Sequence, residues 1–121
     1  MNIQIEFNGL PHSLTVEEHI RAKAAQLEEL NAGALDCRVS VEAPHKRRSQ
    51  GRAYNLRINL HVPGDEIVVN HDSDEDIYVA LRNAFAAVRR QLQTYAERQR
   101  GAIKHHEMQA QPASAARIGG N

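Results

Sequence analysis

The stretch Tyr54-Asn55-Leu56-Arg57-Ile58-Asn59-Leu60-His61-Val62-Pro63-Gly64-Asp65-Glu66-Ile67-Val68-Val69-Asn70-His71 decides the fold. Tyr54, Leu56, Ile58, Leu60 and Val62 alternate with Asn55, Arg57, Asn59 and His61, the period of a strand with one buried face. Pro63-Gly64-Asp65 supplies turn chemistry, and residues 66–71 read as a short returning strand. A regular hairpin with one apolar face must bury that face against another layer.

Working outward, Cys37, Val39 and Val41 alternate with Arg38, Ser40 and Glu42, and Ile3, Ile5 and Phe7 alternate with Gln4 and Glu6. These predict two more strands. Between them Val16, Ile20, Ala24, Leu27 and Leu30 recur at helical spacing. Thr15 with Glu18 reads as a capping box, and Asn31-Ala32-Gly33 as the stop. After the hairpin, Ser73 or Asp74 caps a long helix whose stripe is Ile77, Leu81, Ala84, Phe85, Val88, Leu92 and Tyr95. The order is β-α-β-β-β-α. A right-handed crossover makes the first two strands parallel, and short turns make the rest an antiparallel meander. The expected fold class is α+β: a two-layer sandwich, with a four-stranded mixed sheet covered on one face by both helices. Residues 1–104 form this domain, and 105–121, without amphipathic period, are expected to be a flexible tail.

The 121 residues carry 15 cations, 15 anions and no net charge, but the charge is sorted into blocks. Residues 37–62 hold Arg38, Lys46, Arg47, Arg48, Arg52 and Arg57 against Glu42 alone. Residues 77–104 hold Arg82, Arg89, Arg90, Arg98, Arg100 and Lys104 against Glu97 alone. The intervening 63–76 is acidic throughout. Two arginine-rich surfaces on a neutral protein point to a local polyanion site, since the planar guanidinium fork matches phosphate. The single Cys37 excludes a disulfide framework and is read as a small core residue. No apolar run reaches the ~20 residues of a spanning helix, so a soluble cytoplasmic protein is expected.

The candidate sites follow the charge. The loop Pro44 to Arg52 exceeds the usual hairpin length and presents His45, Lys46, Arg47, Arg48 and Arg52. On the long helix Arg82, Arg89 and Gln93 fall in line, with Arg90 to one side, all off the apolar stripe. The open sheet face is expected to lack aromatic residues, which excludes a stacking platform for splayed bases and leaves recognition to helices and loop. The seven histidines form no helical HxxxH pair, and there is no glycine-rich phosphate loop and no GxSxG. No enzyme activity, metal or cofactor is expected.

Residues 74–95, from Asp74-Glu75-Asp76-Ile77-Tyr78-Val79-Ala80-Leu81 to Arg90-Gln91-Leu92, resemble the last helix of the ribosome hibernation-promoting factor and ribosome-associated inhibitor family, once called sigma-54 modulation proteins. The similarity extends back through Glu66-Ile67-Val68-Val69-Asn70 to Ile20, Lys23 and Leu27-Glu28, covering roughly residues 1–100 of a short family form. The resemblance implies a β-α-β-β-β-α fold on the small ribosomal subunit, in the decoding channel where messenger and transfer RNA lie. Carried over by position, Lys23, Arg82, Arg89 and Arg90 would touch ribosomal RNA. Ala87 and Thr94 stand where lysine is common in the family, helix one is acidic, and the loop 44–52 is unusually basic.

The leading expectation is a non-enzymatic translation inhibitor or hibernation factor, monomeric when free. Its partner would be the small subunit, with no membrane and no small-molecule substrate. The alternatives are a general binder of structured RNA and a protein-interaction module that recruits a strand to an open sheet edge.

Overall fold

In a computed structural model of the chain, the described residues are 1–30, 33, 34, 36–43, 54–73 and 76–109, with side chains described as far as 101. The elements are β1 (Asn2–Asn8), α1 (Leu14–Leu30), β2 (Asp36–Glu42), β3 (Tyr54–Val62), β4 (Asp65–Ser73) and α2 (Ile77–Gln109). The sheet order is β1-β2-β3-β4. β1 runs parallel to β2, and β2, β3 and β4 form the antiparallel meander. The two-layer α+β sandwich is the one the alternation requires.

The register gives each strand face a single environment. Pairs such as Cys37↔Leu60, Val39↔Ile58 and Val41↔Leu56 set apolar residues opposite one another on the inner face. These six side chains are at most 1% exposed. Val16, Ile20, Ala24 and Leu27 of α1 and Ala80, Leu81, Ala84, Phe85, Val88, Leu92 and Tyr95 of α2 close the core from the other side. The Tyr95 hydroxyl donates to the Pro63 carbonyl at 2.7 Å, tying α2 to the β3–β4 turn.

Several boundaries differ from the sequence expectation, each for a local reason. The α1 cap is Ser13, not Thr15: Ser13 Oγ accepts from the Val16 amide at 3.2 Å, and the Ser13 carbonyl accepts from Glu17. Glu17, one turn in, binds Arg21 at 2.9 Å and His12 at 2.7 Å. The α2 cap is Asp76, whose Oδ1 accepts from Tyr78 N at 2.7 Å and whose carbonyl accepts from Ala80. Ser73 instead ends β4, paired with Tyr54. β4 is longer than residues 66–71, because β3 offers it partners from Tyr54 to Val62. α2 continues through Gly101 to Gln109. At ~1.5 Å per residue its 33 residues span roughly 50 Å, well past Tyr95, the last core residue among its described side chains.

Gly9 is needed where β1 ends. Its φ is 78°, and a Cβ there would lie 2.5 Å from the Ala43 carbonyl oxygen. The Asn8 carbonyl accepts from Ala43 N at 3.0 Å beside it, so the chain leaving β1 is held against the end of β2.

Candidate nucleic-acid interface

The two helices bury their apolar stripes side by side and leave a groove between their outer rims. It is lined by Lys23, Gln26 and Leu27 of α1 and by Arg82, Phe85, Ala86 and Arg89 of α2. Phe85 and Leu27 form its floor as members of the core. The cations come from helical phase. Arg82 and Arg89 are seven residues apart, two turns on one face, and Lys23 lies one turn before Leu27 on α1. Three of the candidate residues named from sequence, Lys23, Arg82 and Arg89, are thus brought together from elements about 60 residues apart in the chain.

Arg90 belongs elsewhere. With Gln91, Thr94 and Arg98 it faces Asp65, Glu66 and Ile67 across a separate groove beside the β3–β4 turn. Among the described residues, Arg82, Arg89 and Arg90 have no ion-pair partner and remain exposed. Their charge is therefore available to a ligand. His45, Lys46, Arg47, Arg48 and Arg52 lie outside the described residues. Gln26 was not named from the sequence, and Arg98 was named there only as one of the cations of residues 77–104. Gln26 could have been found from its position three residues after Lys23, and Arg98 from its position eight after Arg90.

His19 lies one turn before Lys23 on α1. Its ring meets Tyr78 edge-on, with centroids 5.1 Å apart, and its buried Nε2 has no hydrogen-bond partner. Burial lowers its pKa from the ordinary histidine value, and the nearby Lys23 charge adds to the effect. The imidazole is thus biased to its neutral form. Cys37 is buried, and its thiol pKa is pushed up to about 11 by burial, which keeps it protonated at neutral pH.

The opposite side of the molecule has the opposite character. The outer sheet face presents Glu6, Asp36, Glu42, Glu66 and Asp72 against Arg38 and Arg57. Its remaining positions are amides, Ser40, His61 and the exposed Val68, with no Phe, Tyr or Trp. Asn55 Nδ2 donates to Asn70 at 2.9 Å and Asp72 at 2.6 Å, Asn59 to Glu66 at 2.9 Å, and Arg38 Nε to Gln4 at 3.1 Å. Five carboxylates against two guanidiniums repel phosphate, whereas α2 between Ile77 and Arg100 sets five arginines against Glu97 alone. The cations of the helical layer are thus concentrated on α2, since α1 sets Glu17, Glu18, Glu28 and Glu29 against Arg21 and Lys23. No group of three or more metal-ligating side chains occurs among the described residues.

The domain is a two-layer β-α-β-β-β-α sandwich with an arginine-bearing second helix and carboxylates on its open sheet face. Residues 3–100 match the family described as sigma 54 modulation protein / S30EA ribosomal protein, and the chain belongs to that family. Two solved structures share the fold. A ribosomal subunit interface protein from Coxiella burnetii is 18% identical with a TM-score of 0.69, over 80% of this chain and 99% of that one. The Protein Y N-terminal domain of Thermus thermophilus is 21% identical with a TM-score of 0.66, over 78% of this chain and 99% of that one. No curated protein matches the sequence.

Proposed function

We propose that this protein is a non-enzymatic cytoplasmic factor that occupies the decoding channel of the small ribosomal subunit, one copy per channel, and blocks translation by excluding transfer RNA. The observation that carries the reading is the groove in which Lys23, Arg82 and Arg89 converge without carboxylate partners. Family membership supplies the ribosome, and the groove supplies a phosphate-matching surface on the side of the molecule that RNA can approach. Arg90, in its separate groove, and the loop cations His45, Lys46, Arg47, Arg48 and Arg52 are further proposed contacts. The mechanism is occupancy. A folded plug neutralises phosphates along the channel and competes with transfer RNA for the same volume.

Co-sedimentation with purified small subunits over a salt series tests this. Neutralising about four to six phosphates gives a log–log slope of roughly −3 to −5, at ~0.7–0.9 per phosphate. Saturating messenger and P-site transfer RNA should displace the protein. Equal affinity for free structured RNA would favour the general RNA binder, and simultaneous binding with P-site transfer RNA would reject the plug.

A further inference from the structure

The two free edges of the sheet are not equivalent. On β2 and β3 the inward residues are sealed, with Cys37, Val39, Val41, Leu56, Ile58 and Leu60 at most 1% exposed. On the edge strand β4, Ile67 and Val69 are also closed, at 5% and 7%. On β1 the same inner face is left open: Ile3, Ile5 and Phe7 are all only half-buried against the core. Phe7 gains partial cover from the His12 ring, centroids 4.8 Å apart. Yet β1 has none of the usual devices that blunt an edge. It has no proline, no lysine and no bulge, its register with β2 is unbroken from Asn2 to Asn8, and its one charge is Glu6. Unpaired backbone groups therefore lie next to a row of incompletely buried apolar side chains.

The sequence of this strand is self-complementary. When β1 of one copy is set antiparallel to β1 of another with the two-fold axis at Ile5, Ile5 meets Ile5 and Ile3 meets Phe7 on the inner face. On the outer face Gln4 meets Glu6 and Asn2 meets Asn8. Every apolar residue faces an apolar one, and every carboxylate faces an amide that can donate to it. No like charges oppose, the condition for favourable cross-strand pairs. Such a contact is isologous and closed, so it ends at two copies. β4 offers no equivalent gain. Its inner apolar residues Ile67 and Val69 are already buried, each copy would bring Asp65, Glu66 and Asp72 to the junction, and Arg90 and Arg98 flank the strand.

We propose that the free protein self-associates through β1, joining two four-stranded sheets into one eight-stranded sheet. This replaces the monomer expected from the sequence, and it does not depend on the RNA reading.

The full chain can be examined by sedimentation velocity over a concentration series, together with oxidative trapping. A concentration-dependent dimer is expected. Ile5→Cys should form a disulfide-linked dimer under mild oxidation, because residue 5 faces its own copy. Asn8→Cys should not, because residue 8 faces residue 2. The buried Cys37 does not compete for the reaction. Gln4→Glu keeps an acceptor for Arg38 but sets carboxylates opposite Glu6 in both halves of the junction. It should weaken the dimer roughly tenfold while leaving the melting temperature at low protein concentration unchanged. A monomer at all concentrations up to about 1 mM would overturn the proposal, including one whose β1 amides are protected by residues 110–121. So would a dimer that Gln4→Glu leaves intact, or one trapped by Val68→Cys instead of Ile5→Cys.

Discussion

At the scale of single residues, the chain spends its polar side chains on ending elements. Asp76 holds the first turn of α2 through the Tyr78 amide. Asp76→Ala should cost about 1 kcal/mol in denaturant unfolding. Gly9 holds a left-handed φ against the Ala43 carbonyl. Gly9→Ala should cost at least ~1–2 kcal/mol, since an L side chain is strained there even before the contact with backbone. His19 links residue chemistry to pH. Its folded pKa lies below the unfolded value, so the unfolded chain takes up the proton first. The stability that neutral His19 provides is therefore complete above the ordinary histidine value near ~6.5 and is lost as pH falls below it. Thermal melts between pH 8 and 5 should show this loss, and His19→Phe should flatten it. An unchanged slope in the variant would assign the acid sensitivity to other groups.

At the scale of elements, α2 carries both core residues and the proposed binding surface, on different faces. Its inner stripe ends at Tyr95, and Leu92 is 1% exposed. Leu92→Ala should cost about 2–5 kcal/mol, as for other buried leucines. Arg82 and Arg89 lie on the rim facing α1, so Arg82→Gln with Arg89→Gln should leave stability within ~0.5 kcal/mol. The same pair should reduce the salt slope of subunit binding by about 2, one for each lost phosphate contact. The comparison is informative because Arg90 lies in a different groove, and Arg90→Gln should act additively with the pair. Wild-type binding in all three variants would leave these arginines as ordinary solvated helix positions.

At the scale of the whole molecule, the division of charge between layers sets how the protein can approach RNA. The arginines of α2 favour phosphate and the carboxylates of the open sheet disfavour it, which gives the proposed plug one preferred orientation towards RNA. Inhibition of translation should therefore be strong when the protein is added before initiation and weak on elongating ribosomes, whose channel is filled. Timed addition in a cell-free system reads this directly, and equal inhibition at both times would contradict exclusion of transfer RNA. Ending the chain after Lys104 should leave the melting temperature nearly unchanged, since among the described side chains of α2 none beyond Tyr95 is buried in the core.

The sequence by itself determined the layers. Alternation along residues 3–7, 37–42 and 54–62 marks which face of each strand is apolar, and this is a local property of a two-residue period. The helical stripes and the strand order follow with equal directness, as does membership of the family. Caps were less legible, because Ser13, Thr15, Ser73 and Asp76 are all chemically fit, and the backbone path selects among them. The end of α2 was also missed: between 96 and 109 only Ala96, Ala102, Ile103 and Met108 are apolar, too few to mark a stripe, and the helix there is a continuation of a well-nucleated one. Only the tertiary structure decided that Lys23 joins Arg82 and Arg89 while Arg90 does not. Only it left β1 half-covered while β4 is sealed. Both outcomes depend on where two helices come to rest on one sheet, and that is fixed by packing between residues far apart in the chain, which no local period records.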